Sequence, residues 1–435
     1  MTDVGREKRL ERERAILVGV IRPNDEELYE PPLAELRRLA MTAGAQVIDT
    51  AIQKLPAVRT STFIGKGKAE EIAEICNALD LDVVIFDHDL SPAQVRNLEK
   101  IVKRKVIDRS EIILDIFASR AQTRQARVQV ELAQLEYLRP RLKRMWTHLS
   151  RHEGGIGKGG PIGLRGPGEK QLEVDRRLMQ KRIGALKHEM RQIERQHHTQ
   201  ASGRRDYFSI SLVGYTNAGK STLLRALTGA ETLIEDKLFA TLDTTPRAWE
   251  LPDGKRVFLS DTVGFIRGLP HHLVASFHAT LEEAREADLL LHVVDSANPD
   301  ARSQMAAVNR VLRDVDAAKV PTITLLNKVD ALGDRMALQL LGEPNGTVVR
   351  VSAVTGEGLT DLGNEVMKVI ERSQVEVELT AHPGDGKLLA FLAEKGRILT
   401  QEYPSADEVR IRARLPKRYA EQLPGNGMER EDWEE

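Results

Sequence analysis

The run Ile210–Leu227, ISLVGYTNAGKSTLLRAL, constrains the fold more than any other part of the chain. Apolar residues (Ile210, Leu212, Val213) lead into Gly214. Tyr215, Thr216, Asn217 and Ala218 follow, then Gly219, Lys220, Ser221 and Thr222, after which Leu223, Leu224 and Leu227 recur at helical spacing. A strand that ends in G-x-x-x-x-G-K-S and passes into a helix is built to hold phosphate. Its glycines let backbone N–H groups turn inward around phosphate oxygens, and the helix adds its partially positive end. Lys220 is expected to bridge the β- and γ-phosphates and the Ser221 hydroxyl to ligate Mg2+. A glycine-rich turn with no ligand would need neither the strand nor the helix.

Further short motifs follow in a fixed order, each at the end of an expected strand. Val257–Leu259 leads to Asp261-Thr262-Val263-Gly264, a D-x-x-G that would set Asp261 near Mg2+ through water and the Gly264 N–H against the γ-phosphate. After a strand at Leu289–Val294, Thr322–Leu326 ends in Asn327-Lys328-Val329-Asp330. An Asp330 carboxylate can accept from the ring N1–H and exocyclic N2–H2 of guanine. Adenine lacks that donor pair, and a site made to pair with it discriminates strongly. Val348–Val351 then leads to Ser352-Ala353-Val354, whose backbone can meet the guanine O6. Residues 206–372 are therefore expected to form a GTP-binding α/β domain with a mostly parallel sheet.

Ahead of it, strand and helix alternate from Ala15: strands at Ala15–Ile21, Gln46–Ile52, Leu81–Phe86 and Lys105–Ile107, with helices at Pro32–Ala43, Ala69–Leu79 and after Ser91-Pro92. This is a small α/β layer domain, residues 1–112. Gly65-Lys66-Gly67-Lys68 lacks the leading glycine and the hydroxyl residue of a phosphate loop, so it reads as a turn and helix start. From residue 113 to 205 the periodicity changes. Leu135, Leu138, Leu142, Met145 and Leu149, and again Met179, Ile183, Leu186, Met190 and Ile193, recur at three- and four-residue spacing. Two heptad-like helices separated by EGGIGKGGPIGLRGPGE imply an antiparallel coiled-coil hairpin with a glycine-rich tip. Pro140 should kink its first arm.

Whole-chain charge carries no information about partners, since 64 Lys and Arg balance 65 Asp and Glu. Locally it does. Arg120 to Arg205 hold twenty basic against eight acidic residues, a balance of +12. Lys158, Arg165 and Lys170 sit among glycines that permit close approach, which suits a phosphate backbone and makes them the candidate RNA-binding residues. At 435 residues the chain is too long for one core. The single cysteine, Cys76, shares a helical face with Ile72, Ile75 and Leu79 and reads as a core residue. Neither a secretory leader nor a membrane span is expected, which points to the cytoplasm.

Within residues 206–372, GYTNAGKST, FATLDTT, DTVGFI, NKVD and SAVTGEGL resemble the HflX family of ribosome-associated GTPases, within the translation-factor-related class. The likeness extends to SPAQVRNLE (Ser91–Glu99), VQVELAQLEYLRPRL (Val128–Leu142) and RGPGEKQLEVDRR (Arg165–Arg177). It implies a cytosolic GTPase that binds the large ribosomal subunit and separates stalled or idle ribosomes, notably in heat stress. The hairpin tip would then face ribosomal RNA. The segment IGKGGPIGL is longer than is usual in the family.

For switch I, spacing leaves Thr241, Thr244 and Thr245 open as the Mg2+ ligand. Resemblance favours Thr241 within Phe239, Ala240, Thr241, Leu242 and Asp243. Phe265 follows the D-x-x-G, where several GTPases place a water-orienting glutamine. A phenyl ring cannot take that role, so slow intrinsic hydrolysis is expected, with help from the ribosome, a monovalent cation or another residue. Asn217 stands where K+-stimulated relatives hold the cation. Lys220, Thr241, Gly264 and Asn217 are thus the expected catalytic groups, with Mg2+ as cofactor and K+ as a further candidate. Residues 373–435 read as a small C-terminal α/β domain with an acidic tail. The chain is expected to be a monomer. The rival reading is an RNA-binding or remodelling protein that uses GTP and also ATP, its GTPase domain being regulatory.

Overall fold

The structure, a computed structural model, describes residues 13–23, 31–142, 167–202, 207–229, 238–239, 246–267, 283–332, 346–420 and 423. The N-terminal unit is a four-stranded parallel sheet in the order β2-β1-β3-β4, from β1 (Arg14–Ile21), β2 (Gln46–Lys54), β3 (Val83–Phe86) and β4 (Lys105–Ile107). Helices α1 (Ala34–Thr42), α2 (Lys66–Ala78) and α3 (Pro92–Val102) connect them. α3 starts where the sequence indicates. The Ser91 side chain accepts from the Gln94 N–H, the Gln94 side chain accepts from the Ser91 N–H, and proline fills the first turn. The GKGK segment opens α2, where Lys66 and Lys68 pair with Glu70 (3.6 Å) and Glu71 (2.6 Å). Cys76 is fully buried on that helix.

Helices α4 (Arg109–Arg120) and α5 (Arg124–Leu138) lead to the long α6 (Pro167–Ser202). Val128, Leu132 and Leu135 of α5 pack against Met179, Ile183, Leu186, Met190 and Ile193 of α6, the seam of the expected hairpin. Arg182 makes a two-pronged ion pair with Glu131 (2.7 Å on each side), and Lys187 reaches Glu136 at 2.7 Å. Part of the local positive excess is therefore neutralised inside the hairpin. Pro140 falls in a 3-10 turn, Arg139–Arg141, that interrupts the first arm where α5 ends at Leu138. One expectation needs correction here: Leu138 packs on the neighbouring core beside Val130, Ala133 and Tyr137 of its own helix rather than in the seam. Met145 and Leu149 of the expected seam lie outside the described residues.

The central domain is a six-stranded sheet ordered β10-β9-β8-β5-β7-β6: β5 (Ser209–Gly214), β6 (Arg247–Glu250), β7 (Arg256–Asp261), β8 (Leu289–Asp295), β9 (Thr322–Asn327) and β10 (Thr347–Arg350). All pairs are parallel except β6 against β7. Helices α7 (Lys220–Thr228), α8 (Ala301–Asp314) and α9 (Leu359–Arg372) flank it. β5 and β8 are buried along nearly their whole length, as central strands of a parallel sheet must be. The C-terminal unit is an antiparallel sheet, β11 (Gln374–Ala381), β13 (Glu408–Pro416) and β12 (Arg397–Ser405), with β13 in the middle. Helices α10 (Gly386–Lys395) and α11 (Lys417–Ala420) complete it. The acidic tail lies outside the described residues. Among the described residues no helix is long and apolar enough to cross a membrane.

One hydrophobic cluster runs from the N-terminal unit into the nucleotide domain without a break. Leu17, Leu36, Ile113, Phe117 and Tyr137 share it with Tyr215, Phe239, Val263, Phe265 and Ile266. The two units are thus fused through the side of the phosphate loop.

Candidate nucleotide site

β5 lies between β7 and β8, and the chain visits one side of it before crossing to the other. Loops leaving the carboxyl ends of these strands part there, which opens the crevice where a doubly wound sheet takes its ligand. Gly214 ends β5 at that crevice, and Gly219, left-handed at φ 94°, turns the chain into α7.

Lys220 is buried, and its Nζ donates to the carbonyls of Gly214 (3.0 Å) and Tyr215 (2.9 Å). Burial lowers its pKa to about 8, although Asp261 acts in the opposite direction. Ser221 Oγ donates to Asp261 Oδ2 at 2.8 Å, so a hydroxyl and a carboxylate from two elements converge on one point. Oxygen donors of this kind suit a hard divalent ion that also takes phosphate oxygens, and they fit Mg2+. Thr222 is half-buried in the first turn of α7. Gly264 sits so close to the phosphate loop that a Cβ there would lie 2.8 Å from Thr216 Cγ2 and 3.1 Å from Lys220 Nζ. Thr216 Oγ1 is buried beside it with no hydrogen-bond partner among the described residues, a hydroxyl that a phosphate oxygen would satisfy. The two loops are joined by the backbone bonds Thr216 N–H to Phe265 O (2.8 Å) and Phe265 N–H to Gly214 O (3.1 Å). Thr262 Oγ1 donates to the Leu212 carbonyl at 2.7 Å and anchors the D-x-x-G to β5.

On the base side, Asn327 is a brace. Its Nδ2 donates to the Ala218 carbonyl (2.9 Å) and its Oδ1 accepts from the Ala353 N–H (3.1 Å), which ties the phosphate loop to the Ser352-Ala353-Val354 loop. Ser352 is buried and Val354 exposed. Lys328, left-handed at φ 65°, reaches back from Asp295 (2.7 Å) to the Asn217 carbonyl (2.8 Å). Val329 is buried, while Asp330, one residue on, is exposed at the rim. Asn217 itself is exposed, with φ 62°. The motifs Gly214–Ser221, Asp261–Gly264 and Asn327–Asp330 are therefore brought to one crevice.

Other expected residues face elsewhere. Phe239 is buried edge-to-face on Phe117 of α4, with ring centroids 4.7 Å apart, and Val263 belongs to the same interdomain core. Phe265 is 2% exposed in that core, which accounts for an aromatic ring at this position. Ala240, Thr241, Leu242 and Asp243 of switch I lie outside the described residues, as do Lys158, Arg165 and the side chain of Lys170. Sequence reasoning missed the partners of the Tyr215 side chain. Its hydroxyl donates to Glu35 of α1, 180 residues away, and no local pattern marks such a pair.

His292 on β8 is buried in the sheet behind Lys220. Burial, with the Lys220 charge adding to it, pushes its pKa down from 6.5 to about 4. The unfolded chain therefore takes up a proton near pH 6.5 that the folded chain refuses until about pH 4. The His292 contribution is constant above that window and turns destabilising as pH drops through it, by roughly 3 kcal/mol in all. Urea unfolding of the wild type and of His292→Gln at pH 7 and pH 5 checks this. The variant should lose less stability on acidification, and equal losses would refute the assignment.

Comparison with known proteins gives three family matches along the chain. Residues 30–118 match a family described as GTP-binding GTPase N-terminal, residues 120–204 its middle region, and residues 209–328 a family described as 50S ribosome-binding GTPase. Among curated relatives, a GTPase HflX from Magnetococcus marinus is 46% identical over 394 residues, 90% of each chain. One from Lacrimispora saccharolytica is 44% identical over 98% of this chain and 99% of its own. The Escherichia coli GTPase HflX is 42% identical over 93% of this chain and 94% of its own.

Proposed function

The chain belongs to the HflX family of GTPases, and from that premise we propose that it binds the large ribosomal subunit in its GTP form and separates stalled or idle ribosomes into subunits, with heat stress the occasion. GTP hydrolysis is its activity. The observation that carries the ribosomal reading is the fusion of a phosphate loop with a basic helical hairpin through one continuous core.

In this reading, Gly214 to Thr222 cradle the phosphates, Lys220 neutralises charge on the β- and γ-groups, and Ser221 and Thr241, with Asp261 beside them, would hold Mg2+. Mg2+ supplies charge neutralisation on the phosphates. Gly264 and Thr241 meet the γ-phosphate and so order residues 239–245 and 261–267, which favours the subunit-bound state. Hydrolysis removes those contacts and releases the protein. Lys158, Arg165 and Lys170 contact ribosomal RNA. Because Phe265 is committed to packing, intrinsic turnover is slow, and the exposed Asn217 carboxamide is assigned to a K+ ion that aids it.

Co-sedimentation with purified large subunits tests this reading. The protein with a non-hydrolysable GTP analogue should pellet with the subunits, and with GDP it should not. Neutralising Lys158, Arg165 and Lys170 together should weaken pelleting by about tenfold or more at near-physiological salt while nucleotide affinity stays unchanged. Hydrolysis in K+ should exceed that in Na+. Equal pelleting with GTP analogue and GDP, or by the neutralised variant, would overturn the proposal for the ribosome. Equal rates in the two salts would remove K+.

A further inference from the structure

The interface between the N-terminal unit and the nucleotide domain holds a buried polar network inside its apolar core. Tyr215, the second residue of the phosphate loop, donates its hydroxyl proton to Glu35. The Arg267 N–H, three residues beyond Gly264, donates to the Tyr215 hydroxyl at 2.8 Å. Arg109 completes the ring. Its Nη2 donates to Glu35 Oε2 (2.7 Å) and to the Arg267 carbonyl (3.0 Å), and its Nη1 pairs with Asp87. Glu35 and Arg109 are each about 6% exposed or less. Burial works against the Arg109 charge, but Glu35 and Asp87 outweigh it and hold its pKa above the ordinary value. Burial and the Glu35 carboxylate likewise keep the Tyr215 phenol neutral.

Charges this dry are costly to desolvate, and apolar residues would hold two units together at least as well. What the network adds is directional. It fixes the backbone of Arg267, through both its N–H and its carbonyl, at the far end of the loop that carries Gly264. The residue before Arg109 extends the connection. Asp108, fully buried, accepts from the Tyr137 hydroxyl (2.9 Å) and Arg141 Nη2 (3.0 Å), and the Arg141 guanidinium lies 3.6 Å over the Tyr137 ring. Tyr137 lies at the end of α5 and Arg141 in the 3-10 turn that follows it. Asp108 and Arg109, at the start of α4, therefore grip the first arm of the hairpin and the D-x-x-G loop.

We propose that Glu35 and Arg109 are positioning residues for GTP hydrolysis, supplied to the site by the N-terminal unit, and that Asp108 joins them to the hairpin. The proposal rests on the reading that the hairpin engages the large subunit. Phe265 cannot orient water, so the backbone of the Gly264–Arg267 loop must be held in place by other means. Glu35 and Arg109 hold it from one side. A shift of the hairpin's first arm on RNA would reach that loop through the Asp108-Arg109 pair.

Single-turnover GTP hydrolysis and GTP affinity are to be measured on the full-length protein, with and without purified large subunits. Glu35→Gln keeps the shape and removes the charge that Tyr215 and Arg109 share. It should lower the basal hydrolysis rate by about tenfold to a hundredfold, the scale of a small misplacement, with the dissociation constant for GTP within about twofold of wild type. Tyr215→Phe deletes one hydroxyl from the same network, and it should show the same split should the Glu35 variant fold poorly. Tyr137→Phe should leave basal hydrolysis unchanged and lose most of the stimulation by subunits. A lower melting temperature with unchanged hydrolysis, or parallel losses of affinity and rate, would reduce Glu35 to a structural role and overturn the positioning claim. Full stimulation of Tyr137→Phe would overturn the link through Asp108. If the wild type neither binds nor responds to subunits, the ribosomal reading fails, while the basal rate of Glu35→Gln still decides the positioning claim.

Discussion

Asp330→Asn should lower affinity for GTP by about a thousandfold or more and raise affinity for xanthosine triphosphate, turning the site from one purine to another. In the proposed site the carboxylate of Asp330 would accept from N1–H and N2–H2 of guanine. A carboxamide in its place offers one acceptor and one donor, so it leaves a guanine donor unmatched and loses the charge that strengthens both bonds. Xanthine carries a carbonyl where guanine has its amino group, and the carboxamide N–H can meet it. Asp330 is exposed at the rim, in the 3-10 turn Val329–Ala331 after β9, so the substitution should leave the fold intact. Isothermal titration with the two triphosphates checks this. Undiminished GTP binding would mean that Asp330 does not read the base, and the assignment of guanine specificity would fall with it.

Gly219→Ala should abolish binding of both GTP and GDP at micromolar concentrations. Two effects coincide at this position. Its φ of 94° lies where an added Cβ is strained by roughly 1–2 kcal/mol. That Cβ would also stand 2.3 Å from Asn327 Nδ2. Asn327 cannot retreat, because it is 1% exposed and held by Ala218 on one side and Ala353 on the other. Displacing it breaks hydrogen bonds worth about 1 kcal/mol each and leaves buried polar groups unmatched at a further cost of about 1–3 kcal/mol. The damage therefore reaches the phosphate loop and the base-binding loops together. Fluorescent GDP and GTP titrations would show it directly, and near-normal affinity would mean that the brace is dispensable.

The nucleotide site was largely legible in the amino-acid order because its chemistry is written in short motifs. Gly214 to Ser221, Asp261 to Gly264 and Asn327 to Asp330 each sit at the end of a recognisable strand, and in a parallel α/β sheet strand ends on one edge meet. The coiled-coil seam of Met179, Ile183, Leu186, Met190 and Ile193 was legible because a helix maps three- and four-residue spacing onto one face. Strand β6 escaped notice, since the four residues Arg247–Glu250 carry little pattern and their pairing with β7 is antiparallel at a sheet edge. Phe265 was legible as an absence, the lack of a glutamine. Its place in a core shared by two units came only from the structure.

Local spacing determined the phosphate cradle, the guanine specificity, the layered α/β units and the paired helices, because each depends on residues a few positions apart. Glu35 on α1 carried no such signal, since its partners Arg109, Tyr215 and Arg267 lie 74, 180 and 232 positions along the chain. Only tertiary packing chose them. A buried carboxylate must find donors wherever the folded chain brings them, and that choice is made by the meeting of two domains rather than by any period in the sequence.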